Sequence, residues 1–144
     1  MRVAVATDDD VPVVADVERL LRERGHEVVR ISGGVGRAWG EVAVWAGEQV
    51  ARGEADQAIV LCFTGTGVAM AANKVRGVRA ALCVDAATAA GARRWNDANV
   101  LALSLRLLTA TLATEIVEAW LGTVYAGSEG ASLAALARAE LAVP

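Results

Sequence analysis

The residues best suited to chemistry are a thiol and a hydroxyl set just ahead of a glycine turn: Cys62-Phe63-Thr64-Gly65-Thr66-Gly67-Val68. The apolar run before them, 58–61, reads as a buried strand, and 68–74 reads as a helix. A strand–turn–helix junction gathers backbone N–H groups at one point, at the positive end of a helix dipole, and so prepares a place for an anion. A thiol beside such donors is suited to moving a proton. Its thiolate takes a proton from carbon while the amides of Phe63, Gly65, Thr66, Gly67 and Val68 hold the oxyanion that forms. The same residues also read as a buried cysteine at a strand end, with Thr64 as a turn former in an ordinary strand-to-helix connection.

The rest of the chain supplies elements that bring other polar groups to the same place. Strand patterns fall at 2–7, 27–31, 58–61, 78–84 and 100–103. Helical patterns fall between them at 12–24, 39–52, 68–74 and 86–95, then at 109–121 and 132–141. Pro12 opens the first helix and Gly25 closes it. Ser32 to Gly36 reads as a flexible loop. The 78–84 run is apolar after Arg79 and predicts a strand buried on both faces. Strand–helix alternation predicts an α/β fold: one Rossmann-like domain, a three-layer αβα sandwich on a five-stranded parallel sheet. Ligands of such sheets sit outside the carboxyl ends of the strands, where Asp8, Cys62-Phe63-Thr64 and Asp85 fall. Asp8 and Asp85 serve equally well there as helix or turn caps.

Composition removes several classes of function. A net charge of −3 with no basic stripe argues against nucleic acid. No apolar run is long enough to span a bilayer, and the N-terminus enters a strand at once, so a cytoplasmic protein is expected. Cys62 and Cys83 have no metal-ligand spacing, and the chain holds one histidine, His26, so neither metal nor cofactor is expected. His26 sits in a turn and reads as solvated. Cys83 reads as core, Arg93 and Arg94 as a solvated face, and Arg106 as either an ion pair or a ligand. Trp39 and Trp95 read as packing or interface residues, with a ligand platform as the alternative. A hydrophobic fraction of 55% exceeds what one core of this size needs and points to an oligomer interface.

Several segments, in order, resemble the ribose-5-phosphate isomerase B type of sugar isomerase, which includes the galactose-6-phosphate isomerase subunits. They are Gly53-Glu54-Ala55-Asp56, Cys62 to Gly67, Ala71-Ala72-Asn73-Lys74-Val75, Val78 to Cys83, and Trp95-Asn96-Asp97-Ala98-Asn99-Val100. The resemblance implies a sugar or sugar phosphate as substrate and no cofactor. It also implies a homodimer or tetramer whose C-terminal helix reaches the partner subunit and whose sites lie between subunits. It assigns Cys62 as the base between C1 and C2, the turn as the enediolate holder, and Thr64 as the hydroxyl-proton relay. Asp8 is matched to sugar hydroxyls, Asn96 to the substrate, and Arg106 to its phosphate.

The departures from that pattern cluster around the phosphate. Where the family has histidines this chain has Asp9, Trp95 and Val84; Phe63 replaces a glycine, and Trp39-Gly40-Glu41 replaces an aromatic-Pro-Asp segment. The C-terminal arginines are absent from 128–132. If they line the pocket, Asp9 and Glu129 would repel a dianion, with Arg106 alone to offset them, and Trp95 cannot shuttle protons. Three readings follow: an isomerase or epimerase of altered specificity, an ordinary ribose-5-phosphate isomerase, or a non-catalytic subunit that keeps the fold.

Overall fold

The apolar runs form five strands: β1 (Arg2–Thr7), β2 (Glu27–Arg30), β3 (Gln57–Cys62), β4 (Ala80–Leu82) and β5 (Val100–Ser104). All pair in parallel, in the order β2-β1-β3-β5-β4. The structure is a computed structural model that describes residues 1–32 and 36–142. Gly33, Gly34 and Val35 of the expected 32–36 loop lie outside the described residues. Six helices connect and cover the sheet: α1 (Pro12–Glu23), α2 (Trp39–Ala51), α3 (Thr66–Ala72), α4 (Ala86–Asn96), α5 (Ala110–Leu121) and α6 (Gly130–Ala142).

Strand alternation splits the core into two unlike faces. One face presents Val3, Val5, Ile59, Leu61, Leu101 and Leu103 to α1, α4 and α5. Burying each large aliphatic side chain contributes about 1.5–3 kcal/mol. The other face presents Ala4, Ala6, Ala58, Val60, Cys62 and Ala102 to α2 and α3. Small side chains let those two helices sit close to the strands, and to each other's neighbourhood. A methyl group at Gly47 of α2 would come within 3.1 Å of the Val75 side chain. Inside the larger-residue face, Trp120 Nε1 donates to Gln57 Oε1 at 2.7 Å, which satisfies both polar groups in a buried setting.

Three expectations need correction. The strand expected over 78–84 is three residues long, half-buried and at the sheet edge. Val78 and Cys83 are buried, but the Val78 amide turns back to the Val75 carbonyl. At Val78 hydrophobicity reported burial, not strand pairing, while the Cys83 amide still donates to the Ala102 carbonyl of the neighbouring strand at 3.1 Å. Arg93 is not on a solvated face: its guanidinium lies 5.4 Å from the Trp120 ring centroid and donates to the Ala98 carbonyl. Burial and nearby Arg79 hold its pKa below the usual arginine range, with Asp97 opposing. Finally, α3 starts at Thr66 and stops at Ala72, where the Asn73 side chain takes over by donating to Ala69 and Ala80 carbonyls.

Candidate active site

The chain leaves β1 toward β2 on one side and returns to place β3 on the other, so β1 and β3 meet at the point where strand order reverses. Crevices at such points open at the carboxyl ends of the strands. The register pairs Thr7 with Leu61 and Cys62 with Ser104. Asp8 and Cys62 therefore follow side by side, one strand spacing of about 4.8 Å apart. Cys62 is 5% exposed and packs on the alanine-rich face, at the end of a strand whose preceding residues 58–61 are fully covered. One carboxylate oxygen of Asp8, Oδ1, is buried without a hydrogen-bond partner among the described residues. A buried, unpaired acceptor of this kind is costly and marks a place where a donor belongs.

Past Cys62 the backbone is clamped and then turned. The Leu105 amide donates to the Cys62 carbonyl at 2.9 Å. The Phe63 carbonyl accepts from the Arg106 amide at 3.1 Å and from the buried Ser104 hydroxyl at 3.0 Å. Gly65 then takes φ +77° and serves as the N-cap of α3. Only glycine fits: a Cβ would lie 2.9 Å from the Leu103 carbonyl carbon and 2.6 Å from a Leu82 methyl. Glycine brings no capping side chain, and none is made. The Thr66, Gly67 and Val68 amides consequently begin the helix with no intrahelical acceptor. With seven residues in α3 the macrodipole is small, so these local N–H groups carry the anion-holding capacity. Thr64 and Thr66 join hydroxyls at 2.8 Å on the exposed side of the turn.

Phe63 and Thr64 are exposed at this mouth, as are Asp9 and Arg106. Thr7 fixes the Asp9 backbone, donating to its carbonyl at 2.7 Å and accepting from its amide at 3.2 Å. Trp39 lays its indole over Gly67, where a Cβ would meet the ring at 3.0 Å. Glu41 is spent on its own helix, accepting from the Ala38 amide at 3.3 Å. Asp85 does cap α4, accepting from the Thr88 amide at 2.7 Å, which lowers its pKa. Burial and the Asp85 carboxylate push the Cys83 thiol up to about 11, so it stays protonated.

Trp95 and Asn96 are elsewhere. They end α4, which returns to the amino ends of the strands before β5 begins. Asn96 lines a cavity of about 960 Å³ at that end, with Lys74, Arg79 and Glu140. Trp95 is 52% exposed and packs against Gly91. One chain therefore assembles Asp8, Asp9, Cys62 to Val68 and Arg106, and holds Trp95 and Asn96 at the opposite end of its sheet. The rest of the motif is structural: Asp97 pairs with Arg79 at 3.0 Å, and Asn99 accepts from the Arg79 amide at 2.8 Å. His26 lies at the amino end of β2, its pKa lowered by burial and by the neighbouring N-terminal ammonium. Among the described residues no cluster could hold a metal ion, and no helix is long and apolar enough to cross a membrane.

A profile of the ribose/galactose isomerase family matches residues 3–135. The chain belongs to this family. It is 35% identical over 131 residues to a putative sugar phosphate isomerase, YwlF, of Bacillus subtilis, covering 88% of each chain. It is 47% identical over 78 residues to ribose-5-phosphate isomerase B of Escherichia coli, covering 54% of this chain and 52% of that one. The solved ribose-5-phosphate isomerase B of Clostridium thermocellum superposes with a TM-score of 0.93 at 32% identity, over 98% of both chains. The Mycoplasma genitalium enzyme, solved with bound ribulose-5-phosphate, gives 0.90 at 30% identity, over 99% of this chain and 97% of that one. The chain is thus an isomerase of the aldose–ketose kind, and its single domain carries the family's five-stranded parallel architecture.

Sequence reasoning missed two contributors. Ser104 is the one polar residue closing an apolar strand, a signal that was available. The stacking of Trp39 on Gly67 joins segments far apart in the chain and had no local signal.

Proposed function

We propose that this isomerase interconverts an open-chain aldose and its ketose with Cys62 as the base. The Cys62 thiolate takes the C2 proton; the C–H electrons form the C1=C2 bond and leave the negative charge on O1. The Thr66, Gly67 and Val68 amides receive that charge, each well-aimed donor lowering the barrier by on the order of 3 kcal/mol. Thr64 passes the hydroxyl proton from O2 to O1, and the Cys62 thiol returns its proton to C1, which yields the ketose. Asp8 accepts from a sugar hydroxyl. What supports this reading is the strand register that sets Asp8 next to Cys62, ahead of the uncapped turn, with Asp8 Oδ1 buried and without a partner among the described residues.

Trp95 and Asn96 reach a catalytic end only from a second copy, so the working unit is a homodimer. In it α6, which buries none of its own residues, lies on the partner. The substrate's far end is not gripped as a phosphate dianion. Asp9 stands at the mouth, and the loop before α6 carries Glu129, whose carboxylate accepts from Ser132 at 3.5 Å. Ordinary ribose-5-phosphate isomerisation is the second reading, favoured by Arg106, which has no ion pair among the described residues. Aldose-to-ketose conversion, followed for D-ribose 5-phosphate and for unphosphorylated pentoses and tetroses, separates the two. Our reading expects turnover of unphosphorylated sugars that Cys62→Ser abolishes. Turnover confined to D-ribose 5-phosphate establishes the second reading instead.

A further inference from the structure

We infer that Ser104 is a positioning residue for the isomerase reaction: its hydroxyl holds the peptide between Phe63 and Thr64 so that the Thr64 N–H faces the Cys62 site. This rests on the proposed reading of that site and adds what sets one of its donors. Ser104 closes β5 and is the register partner of Cys62. Alternation along β5 puts its side chain with Val100 and Ala102, on the alanine-rich face that carries Cys62. It is 4% exposed, at the end of a strand otherwise made of Val, Leu and Ala. A hydroxyl there is costly unless it is bonded, and its bond is to the Phe63 carbonyl at 3.0 Å.

The direction of that carbonyl decides where the next amide points. The Cys62 carbonyl faces β5, where the Leu105 amide donates to it at 2.9 Å. In a strand that continued, the next carbonyl would face the other neighbour, β1. Instead the Phe63 carbonyl also turns to the β5 side, and accepts from both the Ser104 hydroxyl and the Arg106 amide, the latter at 3.1 Å. A trans peptide directs its N–H opposite to its C=O, and no peptide bond among the described residues is cis. The Thr64 N–H therefore points away from β5, to the side where Asp8 follows β1. Among the described residues it has no acceptor, so it is open to a substrate oxygen. The Arg106 amide alone satisfies the carbonyl but leaves the peptide able to swing. The Ser104 hydroxyl takes the second lone pair and fixes the plane. A carbonyl bonded twice also polarises the N–H of its own peptide, which makes the Thr64 amide the stronger donor.

Ser104→Ala, Ser104→Thr, Cys62→Ser and Trp120→Phe test this, each compared with wild type by kcat, KM and Tm. The substrate is whichever of D-ribose 5-phosphate, D-ribose and D-erythrose the wild type turns over fastest. Ser104→Ala keeps the shape of the side chain, and the Arg106 amide still satisfies the Phe63 carbonyl, so Tm is expected to drop by less than about 6 °C. Its kcat is expected to fall about 10–100-fold with KM within about twofold, the pattern of a donor misplaced in the transition state. Ser104→Thr keeps the hydroxyl and is expected to keep kcat near the wild-type value. Trp120→Phe loses a buried hydrogen bond on the other core face, and is expected to lower Tm without lowering kcat, which separates lost stability from lost positioning. Ser104→Ala with wild-type kcat, or Ser104→Thr as impaired as Ser104→Ala, overturns the inference, and an inactive Cys62→Ser beside it leaves the isomerase reading in place. Turnover by Cys62→Ser at the wild-type rate, or none of the three sugars turned over by folded wild type, overturns the reading of the site, and the inference falls with it.

Discussion

Gly65→Ala separates two costs that the turn imposes. The first is the left-handed backbone, φ +77°, which costs an L-residue roughly 1–2 kcal/mol. The second is space. The Leu82 methyl at 2.6 Å is the end of a flexible side chain and can move, but the Leu103 carbonyl carbon at 2.9 Å and oxygen at 3.0 Å belong to the central sheet and cannot. Forcing a methyl group into such a gap adds roughly 1–3 kcal/mol. Together these give about 2–5 kcal/mol, or a Tm lower by about 6–20 °C for a domain of this size. Gly25→Ala is the control: φ is +78°, with nothing within 4 Å, so only the backbone cost remains, about 3–8 °C. Calorimetry on both variants measures the difference. The turn also aims the Thr66 to Val68 amides, so Gly65→Ala lowers kcat by about a hundredfold or more, while Gly25→Ala leaves it alone. Equal Tm losses in the two variants, with kcat intact in Gly65→Ala, refute the packing argument.

Trp120→Phe leaves the buried Gln57 amide oxygen unpaired and costs about 1–3 kcal/mol in chemical denaturation, with no change in KM. Cys83 holds its proton to about 11 in the folded chain against 9.0 unfolded. The native state therefore binds more protons across that window, and stability falls as pH rises from about 9 toward 11. Urea titrations at pH 8 and pH 10 show a smaller decline in Cys83→Ala than in wild type. Arg106→Ala raises KM for D-ribose 5-phosphate tenfold or more only if that residue grips a phosphate. The altered-specificity account expects less than about twofold change in KM for an unphosphorylated sugar, since a screened, exposed cation contributes little to a neutral ligand.

Much of this architecture was legible because strand and helix periods are local. The first strand and the Asp85 cap fall where the sequence puts them, and Gly25 follows the first helix with the positive φ its position calls for. The 78–84 strand was overread because an apolar run cannot distinguish a paired backbone from a buried turn. The proposed catalytic end was marked in the sequence by Asp8, which follows β1, and Cys62, which closes β3, two strands that the topology sets side by side. Trp95 and Asn96 were not placeable. They sit in one motif with Asp97 and Asn99, yet the latter pair ties the Arg79 loop and the former pair is left exposed at the far end of the sheet. Adjacency in sequence carried no information about which end of a parallel sheet a helix terminus reaches.

The central claim is that the sulfur of Cys62 moves the C2 proton, and hydrogen exchange at that carbon measures it most directly. In heavy water, wild type is expected to replace the C2 hydrogen of its aldose with deuterium, read by proton NMR. Folded Cys62→Ala is expected to lose that exchange by about 100–10,000-fold. Exchange in Cys62→Ala at the wild-type rate would contradict the account, since another group would then be the base.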